Sequence, residues 1–312
     1  MNPPVALTVA GTDSGGAAGT AADLATFAAL GVHGACVITA VTAQDTTGVS
    51  DIHAIPIATV EAQLHAVFDD LPVAAVKTGM LGSAAAVELV ARLSADRPLV
   101  VDPVLVATSG AVLGGEDVRR AYLDHLLPVA TVVTPNLDEA RALLGRDRSP
   151  AEVAADLAAD LAADLAADLA ADLAGRAAGA ARRRRVETNT VADERRQDRV
   201  GLDTLAGARG STSGAAVIVT GGDPDATGTC TDWLAEPGKS PIPLTHPAVP
   251  TSNDHGTGCT YSSALAAHLA HGASLREAAE QAAAYVTRQL TRSQHWTLGR
   301  GRGPIAHIKE TA

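Results

Sequence analysis

The sequence has little cysteine, no surplus of positive charge and no long apolar run. Its three cysteines, Cys36, Cys230 and Cys259, are odd in number and far apart, with no C-x-x-C pair. That argues against a disulfide framework and against a cysteine-rich zinc site, and it fits a reducing compartment. Lysine and arginine together number 24 against 35 aspartates and glutamates, giving a net charge of −11. Nucleic acid is therefore not an expected partner, because binding it requires a basic face. No segment reaches the roughly 18 to 20 apolar residues of a membrane span. The opening MNPPVALTVAGTD also lacks a basic region followed by an apolar run. No membrane partner is expected, and the expected location is cytoplasmic.

What is present suits a single α/β domain. The 312 residues are 46% hydrophobic, enough for one large core. Short β-branched runs alternate with alanine-rich helical runs, the pattern of parallel strands joined by crossover helices. Strands are predicted at Val5 to Ala10, Val37 to Val41, Val73 to Lys77, Pro98 to Val101, Val129 to Val133 and Val217 to Thr220. Helices are predicted at Thr20 to Leu30, Val60 to Phe68, Ala84 to Leu93, Leu137 to Leu144, Gly258 to Leu269 and Leu275 to Leu290. Polar residues recur just past the predicted strand ends: Asp13, Gln44, Lys77, Asp102, Asn136 and Gly221. In open parallel sheets ligands bind along that edge, so these residues are expected to share one site.

The stretch Asn253 to Thr260, NDHGTGCT, precedes an apolar helical run. Glycines on either side of a threonine, where a loop becomes a helix, let backbone N–H groups face an anion at the positive end of the helix dipole. Cys259 falls in the first helical turn, where the same field is expected to tune its thiol. A plain turn followed by a buried cysteine is the alternative.

Residues from about 154 to 212 interrupt the alternation. A four-residue repeat places leucine at 157, 161, 165, 169 and 173 and aspartate at 156, 160, 164, 168 and 172. Four residues advance about 400°, so the leucine stripe drifts roughly 40° per copy, and the aspartates repel at i,i+4 spacing. Arg182 to Arg185 and a polar stretch follow. The segment reads as a low-complexity surface insertion, a grown helix and then a loop.

Several motifs resemble those of the hydroxymethylpyrimidine/phosphomethylpyrimidine kinases of thiamine biosynthesis, members of the ribokinase superfamily. They are ALTVAGTDSGGAAGTAADLATFAALGVHGACVITAVTAQDTTGV, AVKTGMLGS, VVDPVLVATSG, VVTPNLDEA, VTGGD, HGTGCTYSSALAAHLA and GRGRGP, in the family's order. The resemblance implies a three-layer α/β/α ribokinase-like fold with a mainly parallel central sheet. It implies transfer of the ATP γ-phosphoryl group to 4-amino-5-hydroxymethyl-2-methylpyrimidine and then to its monophosphate, with Mg²⁺ as cofactor and commonly as a homodimer. Gly11, Asp13, Asp23, Gln44, Met80 and Val106 are implied at the pyrimidine. A carboxamide such as Gln44 can answer both the exocyclic amine and a ring nitrogen. The amides of Gly256, Thr257, Gly258 and Cys259 would stabilise the transferred group, with the Cys259 thiolate as base for the first step. Asn136, Thr220, Gly222 and His255 are implied at ATP and its phosphates, and Glu139 with Asn136 at Mg²⁺ through water.

The chain departs from the family pattern at three places. Many members have Ile-Gln at Thr20-Ala21, lysine at Thr108, and Lys-Gly-Gly-His at Thr220 to Asp223. Two lost lysines remove positive charge near phosphates, so the second phosphorylation is expected to suffer more than the first. The alternatives are a pyridoxal/pyridoxine kinase, which shares the Gly-Thr-Gly-Cys loop, and a catalytically impaired pyrimidine-binding module. A NAD-dependent dehydrogenase is disfavoured, since Ser14 stands where G-x-G-x-x-G needs its first glycine.

Overall fold

The computed structural model describes residues 2–105, 113–164, 166, 214–221 and 224–307. Val106, Thr108, Gly222, most of the 154–212 segment and its arginine run lie outside the described residues.

Eight strands form one sheet in the order β10-β9-β8-β7-β6-β5-β1-β2. They are β1 (Val5–Ala10), β2 (His33–Ile38), β5 (Val73–Thr78), β6 (Leu99–Val101), β7 (Val132–Val133), β8 (Ala216–Val219), β9 (Thr229–Ala235) and β10 (Ile242–Pro247). From β2 through β8 every pairing is parallel, and β9 and β10 close the edge antiparallel. A separate antiparallel hairpin, β3 (Ala40–Asp45) and β4 (Gly48–Ala54), stands off the main sheet.

Both faces of the sheet are covered, which explains the continuous apolar runs. Val5, Leu7 and Val9 of β1 face one layer, while Ala6 faces the other. The first layer contains α2 (Ile57–Phe68), α3 (Ala84–Ser94), α4 (Glu116–Ala121) and α5 (Leu137–Leu144). The second contains α1 (Gly19–Ala29), α7 (Thr257–Ala270) and α8 (Leu275–Ser293). With seven aromatic residues in the whole chain, small alanines at 264, 266, 267, 278, 279 and 282 let this second layer pack closely. The three-layer α/β/α architecture with a mainly parallel sheet is the one expected. No helix among the described residues is long and apolar enough to cross a membrane.

Three features differ from the sequence reading. The chain leaves the main sheet at Thr39, whose N–H donates to Ala10 O and whose hydroxyl donates to Met80 O. The predicted strand Val37 to Val41 is therefore split between β2 and β3, and Thr42 to Asp45 belong to a strand. β4, β9 and β10 went unpredicted because they are polar or alternating segments without an apolar run. Lastly, residues 150–164 form helix α6, and its Val153, Leu157 and Leu161 are buried in the first-layer core. The segment taken as insertion from about 154 thus begins inside the fold. The first two leucines of the repeat are core residues, and the drift of the stripe follows them.

Candidate active site

The C-terminal edge of the parallel strands borders a cavity of about 1040 Å³. It runs from Gly11, Gln44 and Met80 beside β1 and the hairpin to Val249, Pro250, Val286 and Leu290 beside β10 and α8. Strands β1 and β8 are four steps apart in the sheet, about 19 Å at the usual strand spacing. That length suits two ligands placed end to end.

The floor holds a buried charge cluster. Lys77, at the end of β5, has no exposed surface, and its ammonium donates to both oxygens of Asp23 at 2.8 and 3.0 Å. Thr8 and Ser263 hydroxyls donate to the same carboxylate at 2.6 Å each. Asp102, at the end of β6, lies 3.9 Å from Lys77 and accepts from Ser262 Oγ at 3.1 Å. Burial alone pulls the Lys77 pKa down, but the charge and hydrogen bond of Asp23, with the charge of Asp102, more than offset this and hold it above the usual ammonium range. For Asp102, burial dominates and pushes the carboxyl up, against the pull of Lys77.

This arrangement corrects one site assignment. Asp23 was implied at the pyrimidine, yet it lies below the cavity and does not line it. Its position in α1 turns it onto the sheet, where Thr8, Lys77 and Ser263 use its acceptor capacity. Asp23 is the counter-ion of Lys77.

The anion loop has the expected form. Gly256 caps α7 with φ of 91°, and a Cβ there would overlap Ala17 O. Only glycine fits such a site. Gly258 has nothing within 4 Å of its would-be Cβ, so the space before it is open to a ligand. Thr260 N–H is the first of the helix to close onto Gly256 O, leaving Gly258 and Cys259 amides at the positive end. Thr257 differs from expectation, since its N–H and hydroxyl both turn back to Asp254 O at 3.2 and 2.6 Å.

Cys259 lines the cavity, and its surroundings oppose the thiolate that the family resemblance implies. Burial first, opposed by Lys77 and reinforced by Asp102 and Asp23, pushes the thiol up to about 12. Its S–H hydrogen-bonds the Asp102 carboxyl.

At the hairpin end, Asp13 organises the glycine loop. Its Oδ1 accepts from Gly15 N–H at 2.8 Å, and its Oδ2 accepts from Ala17 and Ala18 N–H at 3.0 and 2.8 Å. Burial raises its pKa, but His255 and these amides outweigh burial and leave it below the ordinary value. His255 Nε2 lies 3.4 Å from Asp13 Oδ2 and 3.2 Å from one end of the Gln44 carboxamide. His255 thus sits at the hairpin end of the site, beside Gln44 and Asp13. Met80 packs under Gly11, where a Cβ would overlap its methyl group.

Asn136 and Glu139 form a capping box at the start of α5. The Asn136 side chain accepts from Glu139 N–H at 2.9 Å, and Glu139 accepts from Asn136 N–H at 3.0 Å. Both also line the cavity. Burial and then the charge of Asp102 push Glu139 up to about 8. No cluster of three or more histidine, cysteine or carboxylate side chains among the described residues is arranged to hold a metal by itself. The Glu139 carboxyl, facing the cavity at the start of α5, is a hard oxygen donor suited to Mg²⁺, which takes one or two carboxylates and completes its shell with phosphate and water.

Thr220 lines the cavity, and its hydroxyl donates to Pro135 O at 3.4 Å. The sequence reading did not assign Asp102, although its place after a strand singled it out. It also missed Asp232 and His246, 3.4 Å apart on β9 and β10, and Arg302, whose guanidinium forms a two-point ion pair with Asp254. Asp232 and His246 come from segments without an apolar run, whereas Arg302 stands in the GRGRGP motif, which carried no residue assignment.

The family described as Phosphomethylpyrimidine kinase matches residues 13–179 and 185–306. A hydroxymethylpyrimidine/phosphomethylpyrimidine kinase of Synechococcus elongatus is 40% identical over 310 residues, covering 99% of this chain and 98% of that one. Among solved structures, the pyridoxal kinase of Bacillus subtilis in complex with ADP aligns with a TM-score of 0.73 at 28% identity, over 98% of this chain and 97% of that one. The phosphomethylpyrimidine kinase of Clostridium difficile aligns with a TM-score of 0.63 at 27% identity, over 91% and 98%. The anion loop on α7, the ligand edge of the parallel sheet and these likenesses lead to one conclusion: the chain is a kinase with the ribokinase-like fold and belongs to the phosphomethylpyrimidine kinase family.

Proposed function

We propose that the protein transfers the γ-phosphoryl group of ATP to the hydroxymethyl oxygen of 4-amino-5-hydroxymethyl-2-methylpyrimidine, and then phosphorylates the resulting monophosphate. The observation that carries this reading is one cavity with Gln44 and Met80 at one end, an apolar slot at the other and the α7 N-terminus opening into it. The pyrimidine sits at Gln44, the adenine at Val249 and Val286, and the phosphates before Gly258. Phosphoryl transfer asks the protein mainly for positioning and charge stabilisation.

The Gly258 and Cys259 amides meet the transferred group. In the first step the Cys259 proton passes to Asp102, whose raised pKa favours accepting it, and the sulfur then takes the alcohol proton. The alcohol oxygen bonds phosphorus as the bond to the β-phosphate oxygen breaks, and ADP leaves. Glu139, with Asn136 through water, would hold Mg²⁺, which when bound neutralises phosphate charge. The second acceptor is already an anion and needs no base, but it adds negative charge to a cavity rich in carboxylates.

The protein is further proposed to act in the cytoplasm as a homodimer. Three of the four exposed large hydrophobics among the described residues, Val41, Ile52 and Ile57, lie on or beside the β3–β4 hairpin and support an interface there. Sedimentation velocity tests it, with a monomer as the contrary result. For the substrate, the test is kcat/KM with the pyrimidine alcohol against pyridoxal under saturating ATP. A preference for the pyrimidine supports the reading, and a preference for pyridoxal overturns it.

A further inference from the structure

The Asp13–His255–Gln44 chain contains a constraint that settles which way the Gln44 amide points. Heavy-atom positions do not say which end of a carboxamide is oxygen; the hydrogen-bond network does. Asp13 accepts from three backbone N–H groups, so it is a carboxylate with no proton to give. The His255 nitrogen facing it at 3.4 Å must therefore carry a proton. His255 Nδ1 is buried and has no hydrogen-bond partner, so a proton there would be an unsatisfied buried donor, a costly arrangement. Both facts select the tautomer protonated at Nε2.

The same Nε2 lies 3.2 Å from one end of the Gln44 amide. A donor there requires an acceptor, so that end is the oxygen. The opposite end gives an independent check. It lies 3.5 Å from Thr42 Oγ1, and Thr42 gives its one hydroxyl proton to Thr12 O at 2.8 Å. Thr42 therefore offers Gln44 a lone pair, which only the NH₂ end can use. The Gln44 main chain is fixed by Ser14, whose hydroxyl donates to Gln44 O at 2.6 Å and accepts from Gln44 N–H at 2.8 Å. Reversal of the amide is its remaining ambiguity.

We propose that His255 is a positioning residue that sets the polarity of the Gln44 amide, by sharing its Nε2 proton between Asp13 and Gln44 Oε1. The amide then presents oxygen on the His255 side and NH₂ on the Thr42 side. An aminopyrimidine is read in one sense only, with its exocyclic amine toward His255 and its ring nitrogen toward Thr42. An analogue with a ring carbonyl in place of the amine presents an acceptor to an acceptor and is rejected. His255 thus determines specificity without touching the substrate. This rests on the pyrimidine reading above, but its first test does not.

That test is nitrogen NMR of the ¹⁵N-histidine-labelled free protein, with His255 assigned by its loss in H255Q. Protonation at Nε2 with a bare Nδ1 supports the proposal; protonation at Nδ1 alone overturns it, whatever the enzyme phosphorylates. The second test compares kcat/KM for the amino alcohol with that for its oxo analogue. His255→Leu and Asp13→Asn are each expected to lower this ratio by about tenfold or more, and His255→Gln, which keeps a donor, to recover part of it. General loosening of the site would lower both substrates together and leave the ratio unmoved, and that result overturns the proposal. Failure of the wild type to use either alcohol would overturn the functional reading, and the tautomer then decides the polarity alone.

Discussion

Replacing Lys77 by methionine removes the one cation from a fully buried cluster and keeps most of the side-chain volume. Asp23 would lose both ammonium contacts and retain two hydroxyl donors, while Asp102 would keep Ser262. Breaking a buried pair by removing one partner costs about 3–5 kcal/mol, because the remaining charge is left uncompensated. At about 2.1 cal/mol/K of unfolding entropy per residue, a chain of 312 residues then loses roughly 5–8 °C in Tm. Adding Asp23→Asn to K77M should return a large part of the loss, since the two changes share one interaction. The sign with pH follows from the raised Lys77 pKa. Its stabilisation is fully present below the unfolded value of 10.5 and is lost as pH rises through the higher folded value. Urea unfolding of the wild type, both single variants and the double variant at neutral pH measures the cycle. A K77M stability within about 1 kcal/mol of the wild type, the value of an exposed pair, would refute the account of the cluster.

Four further outcomes are expected. Gly256→Ala should destabilise the fold by about 1–3 kcal/mol or more through its positive φ and the overlap with Ala17, whereas Gly258→Ala should keep Tm and lose phosphoryl transfer. Alkylation by iodoacetamide should reach half of its maximal rate at Cys259 near pH 12 in the free native protein, and a midpoint near the ordinary value of 9.0 would contradict the burial argument. Because a carboxyl with a raised folded pKa makes stability fall as pH climbs from 4.5 through about 8, Glu139→Gln should flatten that fall, keep the capping box and weaken the response to Mg²⁺. Leu161→Ala should cost about 2–5 kcal/mol as a core truncation; a cost near zero would return α6 to the surface insertion.

The fold was largely legible because its signals are local. Apolar runs such as Val5 to Ala10 and Val73 to Lys77 mark strands covered on both faces, and the glycines at 256 and 258 mark a loop that must approach its ligand closely. The site was legible where residues end strands or open a helix: Gln44, Asn136 and Cys259 all line one cavity. Other features depend on distant partners. Nothing near Asp23 announces that Lys77, 54 residues later, turns it inward, and nothing near Asp232 announces His246 on the next strand. The repeat in α6 misled for the opposite reason. Its low complexity looked like surface, while its phase at Leu157 and Leu161 happens to face the core.

The most direct test of the central claim is mass spectrometry of the products formed from 4-amino-5-hydroxymethyl-2-methylpyrimidine, ATP and Mg²⁺, followed over time. The account predicts monophosphate first and diphosphate later, with the second step the less efficient because of its added charge. Equal efficiency of the two steps would contradict the role given to charge, and absence of any phosphorylated pyrimidine would contradict the function itself.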